Sequence, residues 1–141
     1  MQIIILNTYW NLDFTSKISE LGLINYALVD LKAKKIVLHK NLKKDLYLFY
    51  NTIIHELLHI YGYHFSLDKF YSSELDEKIV IDFSFKIVSF LLIFSHITED
   101  VLYAFLFMLF RQANMKVSSN MIKKMAKDIL ILWNDWGNLY D

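Results

Sequence analysis

Read for the spacing of its apolar residues, the chain changes period near residue 42. Residues 2 to 6, Gln-Ile-Ile-Ile-Leu, are mostly β-branched and apolar and predict a short strand. Leu23 to Asp30 and Lys35 to Lys40 predict two more strands around Leu31-Lys32-Ala33-Lys34, as a small antiparallel hairpin. From Leu42 to Tyr63 the period lengthens: Leu46, Phe49, Tyr50, Ile53, Leu57, Ile60 and Tyr61 recur three and four apart, as a core-facing helix requires. Glu74 to Ser95 predicts a second, largely buried helix, capped by Ser73 with Asp76 three residues on. Thr98-Glu99-Asp100 caps a third helix running to Ala113 and places acids where the helix dipole favours them. Ser118 or Ser119 starts a fourth, which Gly137 ends. The predicted class is α+β, a small antiparallel sheet or hairpin followed by four helices.

Composition narrows this picture. A length of 141 residues predicts one domain spanning 1–141, and 55% hydrophobic with 16% aromatic residues supplies ample core. There is no proline, and glycine occurs only at Gly22, Gly62 and Gly137, so no linker is visible. Fifteen basic and fifteen acidic residues cancel, without the dense Lys/Arg footprint of a nucleic-acid binder. Nucleic acid is therefore not an expected partner. Ile87 to Thr98 and Val101 to Phe110 are strongly apolar, but each is shorter than the roughly 18–20 residues that cross a bilayer, and His96, Glu99 and Asp100 interrupt their union. No transmembrane segment is expected. The N-terminus has no basic region before its short apolar run, so no signal peptide is read, and with no cysteine the expected location is cytoplasmic.

The absence of cysteine also decides what chemistry a metal site can use: His and carboxylate alone. His55-Glu56-Leu57-Leu58-His59 sits inside the strongly periodic helix. Residues four apart share a helical face, so two imidazoles converge on one ion while Glu56 projects beside it. In this pattern Glu56 is the general base for a zinc-activated water that hydrolyses a peptide bond. With five His and five Glu in the chain, chance placement of the motif is expected roughly 0.006 times. Catalytic zinc takes three protein ligands, so one is still to be found. The stretch to Gly62 resembles the metzincin pattern HExxHxxGxxH, but its last histidine falls on Phe65, and His64 is one residue early. Glu74 and Glu77 lie three apart on one face of the next helix, so one can bind the ion while the other orients a ligand or stays solvated. Asn51, one turn before His55, is a candidate supporting group, and Tyr61 and Tyr63 are candidate oxyanion donors.

The order of hairpin, Asn51-Thr52-Ile53-Ile54-His55-Glu56-Leu57-Leu58-His59, short loop, then Glu77-Lys78-Ile79-Val80-Ile81-Asp82-Phe83-Ser84 resembles the small phage-type, ImmA/IrrE-like zinc metallopeptidases. In that family a glutamate opens a helix as E-x-x-A-N-x-F-A. Laid on this pattern, Glu77 takes the ligand position and Phe83 and Ser84 match, while Val80 and Ile81 depart from Ala-Asn. The resemblance covers residues 22 to 95, the minimal catalytic core. It implies a zincin-like fold with a sheet edge beside the metal helix, a gluzincin-like third ligand, one Zn2+ ion and a protein or peptide substrate. Thermolysin-like enzymes place an Asp four residues after the ligand Glu; here that place is Ile81. Residues 99–141 lie outside the resemblance, as added C-terminal helices that join the core or mediate self-association. The alternative is a non-catalytic, zinc-stabilised binding or regulatory protein that retains the HExxH helix. Glu56 argues against it, because a purely structural site has no use for a base.

Overall fold

The computed structural model describes residues 1–16, 27–67, 70, 74–94 and 96–135, with the side chains of 74–76 excepted. Four strands, β1 (Gln2–Ile5), β2 (Thr8–Thr15), β3 (Ala27–Asp30) and β4 (Lys35–His39), form one sheet in the order β1-β2-β4-β3. Four helices follow: α1 (Leu46–Phe65), α2 (Glu74–Ile93), α3 (Glu99–Gln112) and α4 (Ser119–Asn134). The class is α+β, but the sheet is mixed and not antiparallel. β1 with β2 and β3 with β4 are antiparallel, whereas β2 and β4 run parallel, with Asn11 opposite Lys35 and Phe14 opposite Leu38.

The correction comes from β2, for which no strand is predicted above. Trp10 and Leu12 alternate with exposed Asn11 and Asp13, the period of a half-buried strand, and supply the partner that β4 needs. Leu6 and Asn7 join β1 to β2 with φ of 52° and 61°, the two-residue turn whose twist matches antiparallel strands. Asn accepts this conformation readily and Leu does not. At the other turn, Asp30 Oδ1 accepts from the backbone N–H of Lys32 and Ala33, and Lys34 takes the left-handed position before β4. The predicted hairpin is present as β3 and β4; Leu23 to Tyr26, Ser73 and Gly137 lie outside the described residues.

Leu42 belongs to a short 3-10 turn, Lys40–Lys44, and α1 begins beyond it because Asp45 caps the N–H of Leu48. Thr98 and Ser118 cap α3 and α4 in the same way. Buried side chains from Ile3 to Leu132 make one cluster, with α1 at its centre. Phe14 stacks on Phe49 across the sheet interface, and Tyr50 packs on Trp133 of α4. Of the C-terminal apolar residues, Leu109, Phe110, Ile129 and Leu132 are buried, Phe107 and Met108 are exposed, and Trp136 lies outside the described residues. Among the described residues no helix is long and apolar enough to cross a membrane.

One buried carboxylate ties three elements together. Asp128 Oδ2 accepts from the Leu6 N–H at 2.9 Å and from the Tyr61 hydroxyl at 3.1 Å, joining α4, the strained β1–β2 turn and α1. Burial raises the Asp128 carboxyl from its ordinary 3.8, against the lowering effect of these two donors. A raised folded value means that the native chain holds this proton more tightly than the unfolded chain. The stabilising contribution is therefore full below pH 3.8 and declines as pH rises through the folded value. Asp128→Asn keeps the shared acceptor and removes the charge, so its melting temperature at pH 7 should equal or exceed the native one, with the advantage vanishing below pH 4. Asp128→Ala strands two donors and should lose about 2–4 kcal/mol. Thermal melts of the three proteins between pH 3 and 7 check both outcomes.

Candidate metal centre

α1 is apolar on most of its surface, with Ile53, Ile54, Leu57, Leu58 and Ile60 buried around the motif. His55 and His59 share the strip that faces α2, four residues apart, and their Nε2 atoms stand 3.1 Å from each other. Glu77, in the first turn of α2, reaches both: its Oε1 lies 2.5 Å from His55 Nε2 and its Oε2 3.1 Å from His59 Nε2. The three side chains are 18%, 27% and 47% exposed, so the cluster is walled on the core side and open on the other. Among the described residues this is a group able to hold a metal ion, its donor atoms lying within 4.8 Å of one another.

The donor set fits a metal by composition and by spacing. Two imidazole nitrogens and a carboxylate are borderline-to-hard ligands of the kind that first-row divalent ions take in open sites. Around a tetrahedral ion with bonds of 2.0–2.1 Å, ligand atoms stand about 3.3 Å apart; the two separations to His59 Nε2 are 3.1 Å, and the Glu77–His55 approach is shorter. The tautomer is also set correctly. His59 Nδ1 lies 2.7 Å from the backbone carbonyl of Phe70, which can only accept, so Nδ1 carries the proton and Nε2 keeps its lone pair for an ion.

Phe70 holds that acceptor in place through close packing. Its ring meets Phe83 of α2 at 5.2 Å and Phe110 of α3 at 5.7 Å. Its backbone lies directly over Gly62, where an added Cβ would stand 2.6 Å from Phe70 Cβ and 3.1 Å from its carbonyl carbon and oxygen. Gly62 is therefore not a turn residue. α1 runs through it to Phe65 and ends at Ser66, whose φ of 56° supplies the left-handed cap.

That continuation decides the fate of the other candidates. His64 stays on the helix, five residues and so about 140° around from His59, exposed against the edge of Phe65 and away from the triad. Tyr61 is fully buried with its hydroxyl given to Asp128, and burial and that carboxylate raise it well above its ordinary value. It cannot serve an oxyanion. Tyr63 is half exposed and borders a separate hollow of about 140 Å³ with Trp10 and His64. Asn51 donates to the Tyr47 carbonyl at 3.1 Å, one turn back, and so lines the cleft without supporting His55. Glu74 opens α2, but its side chain lies outside the described residues. The Phe70 carbonyl is the supporting group that residue types do not disclose.

Glu56 borders the same cleft as His55 and Glu77, an open hollow of about 520 Å³ between α1, α2 and Ala27 of β3. Burial pushes its carboxyl up to about 7, with His59 lowering it and Glu77 raising it. Burial also lowers His55 below the ordinary imidazole value, with Glu77 raising it and His59 lowering it. No family model, curated protein or solved structure matches this chain. The chemistry of the site therefore has to follow from its own geometry.

Gly62→Ala tests the support of His59 directly. The methyl must displace Phe70, so the variant should lose about 1–3 kcal/mol of stability. Its zinc affinity should fall about 10- to 100-fold as the Nδ1 partner moves. Chemical denaturation and a chelator-competition titration give the two numbers, and unchanged affinity would remove Phe70 from the site.

Proposed function

We propose that the protein is a zinc metallopeptidase, with His55, His59 and Glu77 as ligands and Glu56 as general base. The observation that carries this reading is the convergence of Glu77, from a separate helix, on the two histidines of the motif. Zinc held there supplies Lewis acidity to a substrate carbonyl and brings the pKa of water towards neutrality. Glu56 borders the same space, and burial, by holding its carboxyl at about 7, makes its carboxylate a stronger base, able to take a proton from water and return it to a departing amine. Three protein ligands with solvent on the open side suit catalysis better than a closed structural site. β3 ends the sheet among the described residues, and its Ala27 borders the cleft, so an extended peptide has an edge to lie along. Together with the ImmA/IrrE-like pattern of residues 51–84, these features favour a minimal zincin-like enzyme acting on protein or peptide.

Protein prepared with zinc should carry one ion per chain by elemental analysis and cleave an unstructured polypeptide. Glu56→Gln should keep the zinc and lose about 10²–10⁴-fold in rate. Glu77→Ala should lose zinc, and His64→Ala should change neither property. A Glu56→Gln variant as active as the native chain defeats the peptidase reading, and zinc without cleavage leaves a binding protein. The pH profile follows the base. Glu56 acts when ionised, and a bound cation favours its carboxylate, so kcat/KM should fall as pH drops through a midpoint below 7.

A further inference from the structure

The cleft beside the triad has two chemically different ends. On α1, Tyr47, Asn51 and His55 follow one another at four-residue intervals, and on α2 so do Glu77, Ile81 and Phe85. These strips face each other: Glu77 meets His55 at one end, and Tyr47 meets Phe85 at the other, ring centroids 6.3 Å apart and edge to face. All six residues border the cleft. Its apolar end is a wall that the fold leaves uncovered, with Tyr47 40%, Ile81 53% and Phe85 55% exposed. Leu48 and Ala27 extend the same apolar lining. No lysine or arginine borders this space among the described residues; its titratable groups are Tyr47, His55, Glu56 and Glu77.

We infer that this wall, Tyr47 with Ile81 and Phe85, is a specificity seat for a bulky apolar or aromatic side chain of the peptide substrate. The inference rests on the peptidase reading and names its substrate class. Helical rise places Ile81 about 6 Å and Phe85 about 12 Å along α2 from Glu77. An extended peptide advances about 3.4 Å per residue, so the seated side chain is about two to four residues from the scissile bond. Uncovered aromatic and branched side chains gain by removing such a side chain from water. An acidic side chain there meets no cation and faces Glu56 and Glu77, so the seat disfavours it. Ile81 is the position where the family pattern has Asn, so the apolar wall belongs to this chain's own residues.

The test uses the zinc-loaded full chain and fluorescent peptides that differ at one position, carrying Phe, Leu, Ala or Glu. Binding by anisotropy is measured on Glu56→Gln protein and cleavage on the native protein. Phe and Leu peptides should bind roughly tenfold or more tighter than Ala, and Glu weaker than Ala. Phe85→Ser and Ile81→Ser, both at exposed positions, should abolish the Phe preference while leaving the Ala peptide's affinity and one zinc per chain unchanged. Equal affinity across the series, absence of binding throughout, or a Phe preference that survives both substitutions overturns the seat. Preferential binding without cleavage by the native protein supports the seat and removes the peptidase reading; cleavage without preference does the reverse.

Discussion

The constraint on which the structure depends is that α1 must be buried on nearly every side and still present polar chemistry along one strip. A 20-residue helix with Phe49, Ile53, Leu57, Leu58 and Tyr61 at or near zero exposure can exist only if other elements cover it. The sheet covers one side through the Phe14–Phe49 stack and α4 covers another through Tyr50–Trp133. α2 covers the strip that carries the histidines, and it does so with a carboxylate. Burying two imidazoles and Glu56 beside apolar neighbours costs free energy unless each finds a partner. The partners are Glu77 for His55 and the Phe70 carbonyl for His59. The position of α2 and the completion of the metal group are thus one packing solution.

What could be read from the sequence follows from how local each signal is. The HExxH pair was legible because helical periodicity alone puts His55 and His59 on one face. Glu77 was legible only through the spacing of a known pattern, since nothing in its own neighbourhood distinguishes it from Glu74. Tyr61 and His64, the alternative candidates, stand away from the triad for a reason the helix itself contains. Two residues past His59 is about 200° of rotation and five is about 140°, so neither side chain returns to the metal face once α1 continues through Gly62. Gly62 is required by the approach of Phe70, a tertiary contact that no local pattern reports. The Phe70 carbonyl was equally hidden, because any residue type carries one.

The strand β2 was missed for a different reason. Its signal is present: Trp10, Leu12 and Phe14 alternate with Asn11 and Asp13, and Asn7 marks a turn before them. The apolar run of residues 2 to 6 masks that alternation by ending the visible hydrophobic block at Asn7. With β2 absent, β3 and β4 form an isolated hairpin of marginal stability. With β2 present, β4 becomes an interior strand with Ile36 and Leu38 wholly buried, and β3 is pushed to the sheet's edge beside the metal cleft. A strand remote from the motif therefore decides which backbone edge borders it.

The C-terminal helices are also part of the site's construction. Phe110 of α3 packs 5.4 Å from Phe83 and 5.7 Å from Phe70, closing a three-ring cluster whose one backbone carbonyl orients His59. A segment outside the resemblance thereby orients the ring of a candidate metal ligand. The triad itself stays at the margin of the hydrophobic cluster, and Glu77 is nearly half exposed. The core from Ile3 to Leu132 is one continuous cluster of buried side chains. The three candidate ligands thus stand at the mouth of an open cleft, at the margin of the core that packs α1 against α2.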